Sequence, residues 1–353
     1  VKRLLVTSLK VAVSVAIIGY LMWQAREDNA FTNLRDQPKR WGMLVAAWFF
    51  CGGAVLTTLI RWHYLVRALE IPSRLTGSLR IGFLGYLFNL APLGIVGGDL
   101  VKAVMLAHEH QGSSAKSFAS VVVDRVIGLY MLFVVATVAI VVTGFWRVEN
   151  VMIARICEMT FLLTVLGTVG IGALMVPAVS DGRLIRAMEH LPRVGRAMES
   201  LTDAMRMYRR KPAVLLAAAG MSVAVHSLFV TGVYCIACGL PGNVHALGAH
   251  FVMSPLSAAT GVLPLPLGPF EFVLDFLYVH VPIAGAAIPK GQGLVVALGY
   301  RMITVLIAAV GACYYIGARR EVAQVLQESD TERPFAHGPT IAVSEEYRSP
   351  RAA

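Results

Sequence analysis

The chain has 353 residues, 57% of them hydrophobic and only 15% charged, against about 25% charged in a soluble domain. That deficit excludes an ordinary soluble fold, and apolar runs of roughly 20 residues, enough to cross about 30 Å of hydrocarbon as helix, define a multi-pass helical membrane protein. The net charge of +10 is accounted for by basic cytoplasmic loops, so no nucleic-acid partner is expected.

In chain order, Lys2 and Arg3 precede the first expected span, 4–23. It is too long for a typical signal peptide and no small-x-small cleavage site follows it. A mixed-charge loop, 24–40, leads to a second span, 41–60, and then to a basic loop carrying Arg61, Arg67, Arg74 and Arg80. Two apolar pieces follow, 77–90 and 99–110, each too short to cross a bilayer. The third span lies within 117–146 and the fourth within 151–176.

A polar connector, 180–212, holds Arg183, Arg186, Arg193, Arg196, Arg206, Arg209, Arg210 and Lys211. Its apolar residues Leu184, Met188, Leu191, Met198, Leu201 and Met205 recur at helical spacing, with Pro192 expected to divide it. Two readings have equal weight: helices on the membrane surface facing anionic lipid, or a solvated structural connector. The fifth span is 213–239, a second short pair covers 246–262 and 269–280, and the sixth span is 294–316. The tail, 319–353, is charged and contains Pro and Ser, so disorder is expected.

The arginine-rich segments place both termini, the 61–80 loop and the connector in the cytoplasm. The first short pair must then leave the cytoplasm and return to it, and the second must do the same from outside. The expected fold is an all-α polytopic membrane domain, 1–318, with six full spans and two re-entrant helical hairpins. Its halves, about 1–146 and 151–318, form an inverted-topology repeat, in which matching broken helices point to the substrate site.

Broken backbone at membrane depth must line protein or a wet cavity. At the first break, Asn89 opens the stretch, Gly97-Gly98 permits a tight turn and close backbone approach, and Asp99 opens the returning half-helix. At the second, Gly268-Pro269 precedes Glu271. Both half-helix N-termini favour a phosphate or carboxylate; the plainer alternative is that Asp99 and Glu271 only cap their helices. Span three carries Asp124-Arg125 near its start and span six carries Arg301, so each half offers an acid at a tip and an arginine in the next span. Such charges are tolerated in lipid only when paired or hydrated. Lys102, one turn after Asp99, reaches a phosphate or pairs with that acid. Asp275 shares the face of Glu271, His226 is read as a packing residue, and His108-Glu109-His110 as solvated.

The five cysteines, including the Cys235/Cys238 pair, lie in apolar segments and are read as packing residues. No metal cluster, nucleophile–base pair or GxxxxGK[ST] motif is found, so neither an enzyme nor a cofactor is expected.

The stretches "NLAPLGIVGGDLVKAVML", "ASVVVDRVIGLYML", "GVLPLPLGPFEFVLDFLY" and "ALGYRM" resemble the membrane region of lysylphosphatidylglycerol synthase/flippase proteins over most of 1–318. The family usually has more glycine at the second tip; here Pro264, Pro266 and Pro269 surround Gly268 and stiffen it. As the chain ends soon after span six, the soluble aminoacyl-transferase domain is not expected. The resemblance therefore implies lipid translocation or an associated role in the cytoplasmic (inner) membrane. The headgroup would meet Asn89, Gly97, Gly98, Asp99, Lys102, Arg125, Gly268, Glu271 and Arg301. The alternatives are a secondary transporter of a small anion or ion, and a scaffold for a lipid-modifying or glycosyl-transferring enzyme. Expected partners are a lipid headgroup, anionic lipid at the connector, and a second copy or a lipid-modifying enzyme.

Overall fold

The computed structural model describes residues 2–27, 30–89, 94–148, 150–177, 182, 195–263, 265, 267–281 and 288–331. Among the described residues every regular element is helical. The α-helices are α1 (Lys2–Glu27), α2 (Ala30–Asp36), α3 (Trp41–Ala68), α4 (Leu75–Asn89), α5 (Gly94–Glu109), α6 (Ser114–Thr143), α7 (Val151–Met175), α8 (Gly195–Tyr208), α9 (Pro212–Gly239), α10 (Leu247–Ala259), α11 (Pro269–His280) and α12 (Gln292–Thr331). Five are long and apolar enough to cross a membrane: α3, α6, α7, α9 and the Gln292–Gly317 part of α12. The first expected span lies in α1, which is 26 residues long but is not one of those five.

Local chemistry sets several boundaries. Asn150 Oδ1 accepts from the amides of Met152 and Ile153 at 3.0 and 3.3 Å and starts α7. Gly144, at φ +69°, ends α6 in the left-handed conformation. Pro212 opens α9, where its missing N–H costs nothing.

Two expectations need correction at boundaries. Arg61 and Arg67 are not in a loop, because α3 runs on to Ala68; Arg80 lies in α4. The helix continues because Trp62, Leu65 and Val66 extend its buried stripe and a partner neutralises Arg61. At the other end, α12 continues as helix through 319–331, where disorder is expected from composition. Residues 332–353 lie outside the described residues.

The α4–α5 pair is antiparallel. Arg80 Nη2 donates to Glu109 Oε1 at its open end, and Gly85 meets Gly98 near its tip. Helices of 15 and 16 residues reach only about 22–24 Å, short of the hydrocarbon thickness. The second short pair, α10 and α11, has 13 and 12 residues. Helices α3 and α9 also run antiparallel: the Arg40 amide donates to Gly239 O at 2.9 Å, and Lys211 Nζ at the far end donates to Ala68 O. A Cβ on Gly232 would sit 2.5 Å from Cys51 Sγ, so the small residue sets the spacing of these two helices. Helix α4 packs against α12, and α10 against α6.

The described part of the connector, α8, turns its apolar face into the protein. Ala204, Met205 and Tyr208 are buried against α6 and α7, and Tyr208 Oη donates to Leu65 O at 2.8 Å. The apolar face of this part is thus filled by protein. Arg183, Arg186, Pro192 and Arg193 lie outside the described residues.

Candidate functional site

Between the two short helix pairs lie two adjoining cavities of about 250 and 190 Å³. The first is lined by Tyr86 and Asn89 of α4, Lys102 of α5, Arg125 of α6 and His226 of α9. The second is lined by Pro269 and Glu271 of α11 and Arg301 of α12. Asn89, Phe229, Ala258 and Tyr300 border both.

On the first side, Arg125 grips Asp99 with both edges of its guanidinium, Nη2 to Oδ1 at 2.6 Å and Nε to Oδ2 at 2.5 Å. This is the bidentate geometry that makes arginine–carboxylate pairs strong. Lys102 Nζ lies 3.5 Å from Asp99 Oδ1 and is almost fully buried. The expected pairing of Asp99 with an arginine of the next span is thus present.

The expected role of Asp99 as the first residue of the half-helix is not. Helix α5 begins at Gly94, so Asp99 lies in its second turn and Gly97-Gly98 is helical. Glycine at 98 serves a different need: a Cβ there would be 2.0 Å from Gly85 O and 2.1 Å from Asn89 Oδ1. The space beside Gly98 is filled by α4, so that face approaches a neighbouring helix and not a headgroup. Among the described residues, Asn89 Oδ1 is buried there without a hydrogen-bond partner. Gly98→Ala is therefore expected to destabilise the protein by about 1–3 kcal/mol through overpacking. The check is thermal unfolding in detergent, and an unchanged midpoint would show that the hairpin opens at no cost.

On the second side, Gly268 has φ +108°, a conformation that side chains resist. Its amide donates to Glu271 Oε2 at 2.8 Å, while Arg301 donates from Nε and Nη2 to Oε1 at 3.1 and 2.6 Å. Glu271 is 1% exposed. It meets both expectations, closing the start of its own helix and pairing with the arginine. Pro264 and Pro266 lie outside the described residues, as do residues 90–93 of the first break.

Other sequence candidates have structural duties. Asp275 accepts from the Gly291 and Leu294 amides at 3.3 and 3.0 Å and caps α12. His226 Nε2 lies 2.9 Å from Gly128 O. Glu109 is held by Arg80. Among the described residues, no group of three or more His, Cys, Asp or Glu is placed to hold a metal ion.

The sequence reading missed one buried cluster. Arg61 Nε donates to Asp124 Oδ1 at 2.8 Å, Nη1 to Ser222 Oγ at 2.6 Å and Nη2 to Asp124 O at 3.2 Å. It ties α3, α6 and α9 together. The available signal was that Asp124 and Arg125 are adjacent in a helix. Adjacent side chains point about 100° apart and need different partners.

The molecule is thus a polytopic α-helical membrane protein whose short helix pairs border an interior lined with paired charges. Compared with known families, residues 8–311 match the lysylphosphatidylglycerol synthase TM region, and the chain belongs to that family. Membership assigns it a lipid-related role in the membrane. Comparison with curated proteins and with solved structures returned no match.

Proposed function

We propose that the protein translocates the headgroup of a phospholipid or other lipid-linked molecule between leaflets of the cytoplasmic membrane. One observation carries the reading. Lys102 and Arg125 from one half and Glu271 and Arg301 from the other line adjoining cavities that share Asn89, Phe229, Ala258 and Tyr300. A headgroup meets the same kind of acid–arginine pair on either side, while its acyl chains remain in lipid.

On this reading residues 1–318 form six spans and two re-entrant hairpins in an inverted repeat, with both termini cytoplasmic. The reciprocal contacts, α4 on α12 and α10 on α6, support it, because each hairpin then rides on the other half. Rocking of such halves exposes a fixed central site to each side in turn. The residues named from sequence divide accordingly. Arg125, Arg301 and Lys102 meet the phosphate, Asp99 and Glu271 hold the arginines, Asn89 and Gly268 shape the tips, and Gly97 and Gly98 serve hairpin packing.

The test is leaflet exchange in vesicles of phosphatidylcholine and phosphatidylglycerol bearing headgroup-labelled lipid. With wild-type protein, a membrane-impermeant reductant is expected to quench nearly all the label. Quenching of the outer leaflet alone, as in protein-free vesicles, would refute translocation and favour a scaffold for a lipid-modifying enzyme.

A further inference from the structure

Among the described residues, the charges around the cavities do not balance. Arg61, Lys102, Arg125 and Arg301 face three acids, Asp99, Asp124 and Glu271. The segments at the tips outside the described residues, 90–93 with Pro264 and Pro266, contain no ionisable side chain. Asp275 does not redress the balance, since it is turned to the start of α12.

The surplus cation can be identified. Arg61 holds Asp124 at 2.8 Å and Arg301 holds Glu271 at 2.6 Å. Asp99 is gripped at both oxygens by Arg125, which leaves Lys102 a single 3.5 Å contact with an acid already satisfied. Lys102 is 3% exposed and borders the larger cavity. Asp124 also acts on Lys102 through space, but its carboxylate is already held by Arg61; the Trp62 ring, 5.6 Å from Nζ to the centroid, is in a favourable cation–π position and supplies no counter-charge. A charge so placed needs an anion. The acids, in contrast, have their charges matched and offer an incoming ammonium little.

We propose that Lys102 is the anion subsite of the cavity, and that it selects a singly charged phosphate diester, as in an anionic phospholipid headgroup, over zwitterionic or cationic headgroups. This rests on the reading that a lipid headgroup enters the cavity. One excess positive charge matches one diester charge.

The full-length protein in detergent is titrated with glycerophosphoglycerol, glycerophosphoethanolamine and inorganic phosphate, with the thermal midpoint as readout. Glycerophosphoglycerol is expected to raise the midpoint at concentrations at least about tenfold lower than either of the others, the scale of one charged hydrogen bond. Lys102→Met keeps the stem that packs on Gly85 and removes the charge. It is expected to abolish the shift while leaving the ligand-free midpoint as high or higher, since a surplus buried charge is gone. Equal shifts for the diester and the zwitterion, or an equal shift with free phosphate, would overturn the assignment. So would a lower ligand-free midpoint in Lys102→Met, which would make Lys102 a structural partner of Asp99. Vesicle exchange of labelled phosphatidylglycerol and phosphatidylethanolamine separates the two claims. A diester shift without exchange refutes translocation and keeps the subsite, while exchange indifferent to headgroup charge keeps translocation and refutes the subsite.

Discussion

Arg61→Ala is expected to destabilise the protein by about 3–5 kcal/mol, because it leaves Asp124 as a buried charge without its partner. Both side chains are nearly inaccessible, at 4% and 3% exposure, so water cannot screen the loss. Ser222 is less affected, since its hydroxyl also donates to Ala218 O at 2.8 Å. Pairing Arg61→Met with Asp124→Leu should recover most of the stability, as well-packed apolar residues often replace a buried pair at little cost. Thermal unfolding of the two single variants and the double variant checks this. A double variant no more stable than the singles would mean that Arg61 acts through packing and not through its charge.

Arg301→Ala is expected to stop leaflet exchange, reducing it to the rate of protein-free vesicles, and to destabilise the protein. Glu271 is 1% exposed and loses both of its guanidinium contacts. Adding Glu271→Gln should return stability, because the stranded charge is neutralised, while exchange stays absent. Arg125→Ala should also stop exchange but cost less stability. Arg125 is 42% exposed, and Lys102 remains near Asp99. Normal exchange in either arginine variant would remove that residue from the headgroup path. Exchange regained in the double variant would make the pair a structural one only.

The apolar runs and their breaks were readable because span length and helix breakers are local properties, and both short helix pairs fall where the breaks lie. The acid–arginine pairs were readable because four charges in oily segments demand partners. What was not readable depends on distant contacts. Arg61 marks the end of a span unless its partner 63 residues away is known. Gly97-Gly98 resembles a turn locally, but the constraint on Gly98 comes from Gly85 and Asn89 of the neighbouring helix. The spacing of Leu201 and Met205 defines an apolar face without saying what covers it, and here α6 and α7 do.

The central claim is that the headgroup passes through the space shared by the two cavities, and Ala258 borders both. The most direct measurement is leaflet exchange by Ala258→Cys before and after reaction with a bulky, membrane-impermeant thiol reagent. Wild type, which keeps the five native cysteines and is treated with the same reagent, serves as the control. The expected result is that the introduced thiol reacts from the aqueous phase and that its modification stops exchange, while treated wild type continues. Full modification at position 258 with exchange undiminished would contradict the account.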